Sequence, residues 1–277
     1  MKSSLRLLAL LSFIVAALPA LSAAEGRVQL GLQTWTCNRM NFDQVVEFAV
    51  KHGIKNLQFF SGQFDPAAPA EETLRKKAIL DAHGLTCYTF GVSRTSLDPA
   101  QNRQLFEFAK LIGAKLIVVE PRDLAEWDNL EALVKEYDIR LAIHNHGKGT
   151  VYGDPATVQG ILAKRDQRIG VCLDVGWVTA AGFDAAKVFL DYGDRVYDIH
   201  FKDKKVETAA DGKEVILDVP VGTGAANYAG LFAEIKRTGW SGVLAIETDN
   251  RSFQNDPNQL VEEGKKFFAA HFGPNTN

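Results

Sequence analysis

Cysteine, excess positive charge and long apolar segments are all scarce in this chain of 277 residues. Its three cysteines, Cys37, Cys87 and Cys172, form no Cys-x-x-Cys pair, which argues against a disulfide scaffold or a cysteine-based metal site. Cys87 and Cys172 lie in apolar runs, so we expect buried free thiols. The 31 basic and 34 acidic residues give a formal charge of −3, which argues against a nucleic-acid-binding groove.

The longest apolar run lies at the N-terminus. A positively charged start is followed by an apolar segment from Leu7 to Leu18 and then by the small residues Ser22-Ala23-Ala24. This pattern predicts a secretory signal peptide over residues 1–24, with an uncleaved anchor as the alternative. No later segment of the sequence is apolar enough to span a bilayer. We therefore expect a periplasmic or secreted protein without stable membrane association after cleavage.

The rest of the chain, residues 25–277, repeats one pattern, an amphipathic helix followed by a short apolar strand. Eight strands are predicted, at Val28–Thr34, Lys55–Phe60, Leu85–Phe90, Lys115–Glu120, Arg140–His144, Ile169–Asp174, Val196–His200 and Val243–Glu247. Eight such units in about 250 residues predict an α/β fold with a single (β/α)8 TIM barrel domain. A doubly wound open sheet is the alternative, but no G-x-G-x-x-G turn follows the first strand. The stretch between Lys202 and Ala225 reads as a polar hairpin in a βα loop.

Acidic residues and histidines stand where several of these strands end, which is where the chemistry of such barrels is located. Glu120, Asp174, His200 and Glu247 together offer three carboxylates and one imidazole. Because a buried charge is costly unless it is paired or metal-bound, this set predicts one divalent metal ion. Mn²⁺ is the expected ion, with Mg²⁺, Co²⁺ and Zn²⁺ as alternatives. Three of these residues also have a structural alternative: a salt bridge for Glu120, a helix cap for Asp174 and a core histidine for His200.

The order of four motifs carries a family resemblance. These motifs are Val119-Glu120-Pro121, Leu173-Asp174-Val175-Gly176, His200-Phe201-Lys202-Asp203 and Ile246-Glu247, with Pro220-Val221-Gly222-Thr223-Gly224 before the last helix and strand. From Val28 to Asn250 the chain resembles the xylose-isomerase-like TIM-barrel superfamily, in its branch of sugar isomerases, epimerases, inosose dehydratases and keto-glycoside lyases. The resemblance implies one catalytic divalent metal on Glu120, Asp174, His200 and Glu247. It also implies that Glu120 and Glu247 flank the substrate as acid and base and act through an enediolate.

Two places depart from the ketose epimerases of that superfamily. Trp177 stands where those enzymes usually carry a histidine, and His144 and His146 resemble strand five of the inosose dehydratases. His146 is a candidate general acid, with an orienting role as the alternative. Trp177 is a candidate wall for stacking on a sugar, with core packing as the alternative. Trp35 is a second candidate wall, and His144 and Lys202 complete the predicted substrate-binding set.

These observations predict an exported, metal-dependent sugar isomerase or epimerase that abstracts a proton next to a carbonyl. A 3-keto-glycoside β-elimination lyase, a hydrolase or a dehydratase on the same site is the first alternative. A non-catalytic exported sugar-binding protein is the second, and the intact ligand set argues against it. An apurinic endonuclease would need several metals and more histidines. The expected partner is a small sugar or glycoside, not nucleic acid, and a homo-oligomer is compatible with the composition.

Overall fold

The computed structural model describes residues 28–274, and its centre is a closed ring of eight parallel strands. The strands are β1 Val28–Gln33, β2 Asn56–Phe59, β3 Thr86–Ser93, β4 Leu116–Val119, β5 Arg140–His144, β6 Ile169–Asp174, β7 Val196–Phe201 and β10 Gly242–Ile246, with β8 and β9 in a separate hairpin. They follow one another around the ring in chain order, and β1 pairs with β10 to close it. The predicted barrel is confirmed, and the closed ring excludes the doubly wound open sheet.

Helices cover the outside of the ring. They are α1 Phe42–His52, α2 Ala70–Ala82, α3 Pro99–Ile112, α4 Glu126–Tyr137, α5 Pro155–Leu162, α6 Val175–Ala180, α7 Ala185–Tyr192, α8 Tyr228–Thr238, α9 Arg251–Asn255 and α10 Asn258–Phe272. Three of these helices, α1, α3 and α8, end at a glycine in the left-handed conformation, at Gly53, Gly113 and Gly239. Because each helix stops there, the chain can turn at once into the next strand.

Alternate residues of each strand face two different environments. One set, which includes Leu57, Phe59 and Ile117, packs against the helices in a continuous apolar core. The interior of the ring holds a much smaller apolar cluster of Leu116, Val118, Ala142 and Cys172. Buried polar side chains occupy the rest of that interior, and they lie mainly towards the carboxyl ends of the strands. The barrel thereby collects its buried charges at one mouth.

A hairpin extends from that mouth after β7. Its strands, β8 Asp203–Thr208 and β9 Glu214–Val219, pair in antiparallel register, as predicted for this stretch. The Asp203 carboxylate anchors the return of the chain, because it accepts hydrogen bonds from the backbone N–H groups of Gly222 at 3.0 Å and Gly224 at 2.8 Å. The Pro-Val-Gly-Thr-Gly motif therefore has a structural role, which is to lead the chain from the hairpin towards α8.

The three cysteines are free and buried, which confirms the expectation for Cys87 and Cys172. Burial raises the pKa of each thiol to about 12, so Cys37, Cys87 and Cys172 stay protonated at neutral pH.

The predicted signal peptide, residues 1–24, lies outside the described residues. Within residues 28–274, no helix combines the length and apolarity needed to cross a membrane.

Candidate metal centre at the barrel mouth

Four residues from four strand ends converge inside the mouth. They are His144 at the end of β5, Asp174 at the end of β6, His200 on β7 and Glu247 directly after β10, and we call them the mouth cluster. Their ligand atoms all lie within 4.8 Å of one another, and all four residues are buried. Parallel pairing explains the convergence, since the register aligns Asp174 with His200.

Several polar atoms of this cluster make no hydrogen bond of good geometry, although charged groups lie close to some of them. Among the described residues, both ring nitrogens of His144, Asp174 Oδ2, His200 Nδ1 and Glu247 Oε2 are buried without one. Polar atoms without a partner are costly to bury, so their concentration at one place needs an explanation. A divalent cation would supply one, because each of the four residues offers it one ligand atom, a single ring nitrogen in the case of each histidine. Two imidazoles and two carboxylates suit Mn²⁺, Co²⁺ or Zn²⁺ by donor chemistry.

Asp174 combines a structural and a ligand-like role. Its Oδ1 accepts a hydrogen bond from the backbone N–H of Trp177 at 2.8 Å and caps α6, which is the structural alternative considered from the sequence. Asn145 fixes the same residue from behind, because its Oδ1 accepts from the Asp174 N–H at 2.8 Å and its Nδ2 donates to the Asp174 carbonyl at 3.1 Å. The cap uses one carboxylate oxygen and leaves Oδ2 for the mouth cluster.

His200 is oriented by a residue that the sequence reasoning missed. Gln58, on β2, is fully buried, and its Oε1 lies 2.9 Å from His200 Nε2. A carbonyl oxygen can only accept a hydrogen bond, so this contact places the proton on Nε2. The lone pair is then on Nδ1, which lies 3.0 Å from Glu247 Oε2 and 3.5 Å from Asp174 Oδ2. Strand β2 also contains Asn56, so a polar residue at position 58 was no clear signal in the sequence.

The structure puts Glu120 in an adjoining group rather than in the mouth cluster. Glu120 follows β4 at the rim, and its Oε2 lies 2.9 Å from His146 Nδ1 and 3.7 Å from His144 Nδ1. Burial raises the pKa of the Glu120 carboxyl, but hydrogen bonds from the two histidines outweigh this and lower it to about 2. Of the four predicted ligands, the structure therefore brings three together with His144 and holds Glu120 beside His146, where His144 is shared by both groups.

Lys202, predicted to bind substrate, is buried against the carboxylates of the mouth cluster. Its Nζ lies 2.8 Å from Glu247 Oε2, 3.2 Å from Asp174 Oδ2 and 2.8 Å from Asp249 Oδ2. Burial lowers the pKa of this ammonium, but the carboxylates more than offset that effect and hold it well above its ordinary value. Gly176 makes room for the lysine stem, because a Cβ there would lie 2.8 Å from Lys202 Cγ.

The wider network keeps an excess of negative charge. It joins Lys202 and Lys204 to Asp174, Asp218, Glu247 and Asp249. Two ammonium groups against four carboxylates leave a formal charge of −2, which one divalent cation balances. The sequence reasoning used neither Asp218 nor Asp249 as a site residue, and the position of Asp249 two residues after Glu247 was the signal for it.

The two predicted aromatic walls differ in how much ring they expose. Trp177 is half-buried, with the His146 ring centroid 5.2 Å away and Lys204 Nζ 3.8 Å from its own centroid. Trp35 is 39 % exposed and meets Phe60 edge-on at 5.3 Å. Trp177 is therefore largely packed by protein, as in the structural alternative, whereas Trp35 presents a face to solvent.

Two inosose dehydratases illustrate what the sequence is similar to. The enzyme of Lacticaseibacillus casei is 24% identical over 164 residues, 52% of this chain and 54% of the relative. That of Clostridium perfringens strain 13 is 26% identical over 216 residues, 72% of this chain and 71% of the relative. The chain thus spans about half the length of the first curated relative and more of the second.

Solved structures share the fold. The IolI protein with a bound zinc atom superposes with a TM-score of 0.68 at 13% identity, over 88% of this chain and 98% of that one. A xylose isomerase-like TIM barrel protein from Mycobacterium smegmatis in complex with magnesium gives 0.63 at 11% identity, over 86% and 97%. The family model for the xylose isomerase-like TIM barrel matches residues 46–271. The chain belongs to the xylose isomerase-like TIM barrel family.

Proposed function

We propose that this protein is a divalent-metal-dependent enzyme that removes a proton next to the carbonyl of a sugar-like substrate. One observation carries the proposal, namely the convergence of four buried residues that each offer one ligand atom within 4.8 Å of the others: His144, Asp174, His200 and Glu247. The relatives named inosose dehydratase, and the family members solved with zinc or magnesium, support metal-dependent chemistry on sugar-like molecules. We propose Mn²⁺ as the resident ion, because imidazole and carboxylate ligands both suit it.

The chain's own residues supply the proton transfers. An ion held by His144, Asp174, His200 and Glu247 would polarise the substrate carbonyl. Glu247 is the proposed base, since its carboxylate borders the site and its Oε2 lies 2.8 Å from the Lys202 ammonium. Glu120 lies in the adjoining group and is the proposed partner in proton return.

A specific pair favours elimination as the outcome. His146 Nδ1 and Glu120 Oε2 are 2.9 Å apart at the rim, and such a carboxylate–imidazole pair can hold a proton and deliver it to a departing hydroxyl or glycosyl oxygen. Isomerisation needs only a proton shuttle between neighbouring carbons. We therefore propose a dehydratase or keto-glycoside lyase as the form of this enzyme, with isomerase or epimerase activity as the second candidate.

Metal content tests the first step. We expect about one divalent ion per chain in the purified protein and none in Asp174→Asn. Asparagine is the sharper substitution than alanine, because its side-chain oxygen can still cap α6 while the negative charge is lost. Glu247→Gln serves as a second ligand variant. A wild-type protein that binds no ion after incubation with Mn²⁺, Zn²⁺ and Mg²⁺ contradicts the proposal and favours a sugar-binding protein.

Isotope exchange tests the second step. The metal-loaded protein is incubated in D₂O with inososes, ketohexoses and 3-keto-glycosides, and deuterium uptake next to the carbonyl is followed by NMR. Uptake with loss of water or of a glycosyl group indicates elimination, and uptake with only a new isomer indicates isomerisation or epimerisation. Metal-loaded protein that catalyses no exchange with any of the three classes contradicts an enzymatic role of this kind.

We also propose that the protein is exported, which rests on the charged start, apolar run and small residues of positions 1–24. Expression of the full chain, followed by cell fractionation and mass measurement, tests this. A periplasmic or secreted protein that begins at Glu25 is expected, whereas a full-length protein in the cytoplasm contradicts export.

A further inference from the structure

An open cleft lies next to the mouth cluster and has no role in the chemistry described above. It has a volume of about 560 Å³, within the range of sites that bind small molecules. Its main lining residues are Trp35, Asn38, Arg39, Phe60, Asp249 and Arg251. They come from the segments that follow β1, β2 and β10, so the cleft opens on the same face of the barrel as the mouth cluster.

Asp249 connects this cleft to the mouth cluster. Its Oδ1 accepts a hydrogen bond from Trp35 Nε1 at 3.2 Å, and its Oδ2 accepts one from Lys202 Nζ at 2.8 Å. Lys202 in turn contacts Glu247. Two hydrogen bonds, both accepted by Asp249, therefore connect the Trp35 indole to Lys202, which borders the proposed metal ligands. A substrate bound at the mouth that continues past Asp249 enters the cleft.

The aromatic wall of the cleft is fixed in place and exposed. The Trp35 indole is held by its hydrogen bond to Asp249 and by edge-on contact with Phe60 at an interplanar angle of 81°. It is nevertheless 39 % exposed. An indole with a fixed orientation and an open surface offers a platform for a flat ligand with an apolar face and a polar edge, which describes a pyranose ring.

The polar wall of the cleft has unused hydrogen-bonding capacity. Within residues 28–274, neither Arg39 nor Arg251 has a carboxylate within ion-pair distance, so both guanidinium groups are free to donate to oxygens of a ligand. The Asn38 side chain lines the same cleft. Donors around an aromatic platform match the oxygen lone pairs of a sugar.

We infer that this cleft is a subsite for a second sugar ring, so that the substrate is a glycoside of at least two rings rather than a free monosaccharide. The inference rests on the proposed function, because it assumes that the reacting ring lies at the mouth cluster. The second ring stacks on Trp35 while its hydroxyl groups meet Asn38, Arg39 and Arg251. A neutral ring and a uronate ring share this chemistry, and the arginines would bind a uronate carboxylate more tightly.

Binding measurements test the subsite without requiring turnover. The wild-type protein with Mn²⁺ is titrated by calorimetry with a panel of α- and β-linked disaccharides of glucose, galactose and mannose. Each monosaccharide and the corresponding aldobiouronic acids complete the panel. We expect at least one disaccharide or aldobiouronic acid to bind about tenfold more tightly than its monosaccharide, which corresponds to about 1.4 kcal/mol. Tighter binding of the aldobiouronic acid than of the neutral disaccharide identifies the second ring as a uronate.

Matched variants locate the effect. Trp35→Ala should abolish the preference for two rings, and Arg39→Gln with Arg251→Gln should weaken it. Phe183→Ala is the control for the loss of an exposed aromatic ring, because Phe183 is also 39 % exposed but does not line the cleft. Arg75→Gln is the control for the loss of an exposed arginine. A preference that survives in Trp35→Ala, or a panel in which no two-ring ligand binds more tightly than one ring, overturns the inference.

The same titrations separate the two proposals. If the wild-type protein binds metal and catalyses exchange but shows no preference for two rings, the proposed function stands and the subsite is wrong. If the protein binds no metal yet still prefers two rings through Trp35, the subsite stands and the metal chemistry is wrong.

Discussion

Two polar clusters lie one above the other inside this barrel. The mouth cluster and a deeper inner cluster of Tyr88, Cys172 and Asp198 share two strands, β6 and β7. Along β6, Cys172 precedes Asp174 by two residues, and along β7, Asp198 precedes His200 by two. Residues two apart share a face of a strand, so each of these two strands places one residue in each cluster. The clusters nevertheless treat their carboxylates differently.

The inner cluster satisfies its carboxylate with neutral donors. Tyr88 donates to Asp198 Oδ1 at 2.9 Å, and the Cys172 thiol donates to Oδ2 at 3.6 Å. Burial raises the pKa of Asp198 to about 6, and the donors only partly offset that effect. In the mouth cluster, by contrast, Asp174 Oδ2 and Glu247 Oε2 face the Lys202 ammonium and the imidazoles of His144 and His200. The two clusters therefore differ in the charge of the groups that lie against their carboxylates.

The pair Asp174→Asn and Asp198→Asn should show most clearly which of the two clusters binds the ion. Wild-type protein should gain about 2.7 kcal/mol in the free energy of unfolding at a metal concentration a hundredfold above Kd. We expect Asp174→Asn to lose that gain and Asp198→Asn to keep it. Urea titration with a chelator and then with Mn²⁺ measures both. If Asp198→Asn loses the gain while Asp174→Asn keeps it, the ion belongs to the inner cluster.

The acidic residues of the mouth cluster were predictable, because a charge at the end of a buried apolar strand is costly unless it is paired or bound to a metal. Asp174 and Glu247 each close such a strand, and the parallel register brings those ends together. It was not predictable that His144 lies with Asp174, His200 and Glu247 while Glu120 lies beside His146. This arrangement depends on where Glu120 lies beyond the end of β4, and the hydrophobic pattern of the sequence does not give that position.

Supporting residues were harder still to identify from sequence. Gln58 carries no charge, so nothing in the strand pattern distinguishes it from a polar residue on a surface strand. Asp249 resembles an ordinary loop acid until the structure shows Trp35 on one oxygen and Lys202 on the other. Such roles arise from contacts between segments far apart in the sequence, whereas strands and helix caps are determined mainly by residues close together in the sequence.

Gln58→Leu should lower the metal affinity of the mouth cluster without removing a ligand. The variant loses the oxygen that holds His200 Nε2–H, so the ring is free to change tautomer and orientation. We expect metal affinity to fall by about 10–100-fold, the usual cost of losing such a supporting contact. Competition with a chromophoric chelator measures it. Gln58→Glu keeps an acceptor and should bind metal at least as tightly as the wild type, and equal affinity in Gln58→Leu would contradict the orienting role.

Tyr88→Phe should affect the inner cluster alone. The change removes the donor to Asp198 Oδ1 and leaves a buried carboxyl oxygen without its partner, which costs about 1–3 kcal/mol of the free energy of unfolding. Metal affinity should stay at the wild-type value. Tyr192→Phe is the matched control, because that hydroxyl is buried without a hydrogen-bond partner among the described residues, and its loss should cost less. A greater loss of stability in Tyr192→Phe than in Tyr88→Phe contradicts a stabilising role of the hydrogen bond from Tyr88 to Asp198.

Cys172→Ala should have the smallest effect, although Cys172, Asp198 and His200 lie close enough together to hold an ion. Both oxygens of Asp198 already accept hydrogen bonds, and His200 Nε2 already meets Gln58, so an ion there would have to displace existing partners. We expect unchanged metal content and a loss of roughly 1 kcal/mol of stability from the small cavity and from the weak thiol hydrogen bond to Asp198. The spectrum of the Co²⁺-loaded wild-type protein should also lack the sulfur-to-cobalt charge-transfer band that a thiolate ligand gives. A charge-transfer band that disappears in Cys172→Ala would place the ion in the inner cluster, with Cys172 as a ligand, and would contradict the mouth cluster as the metal site.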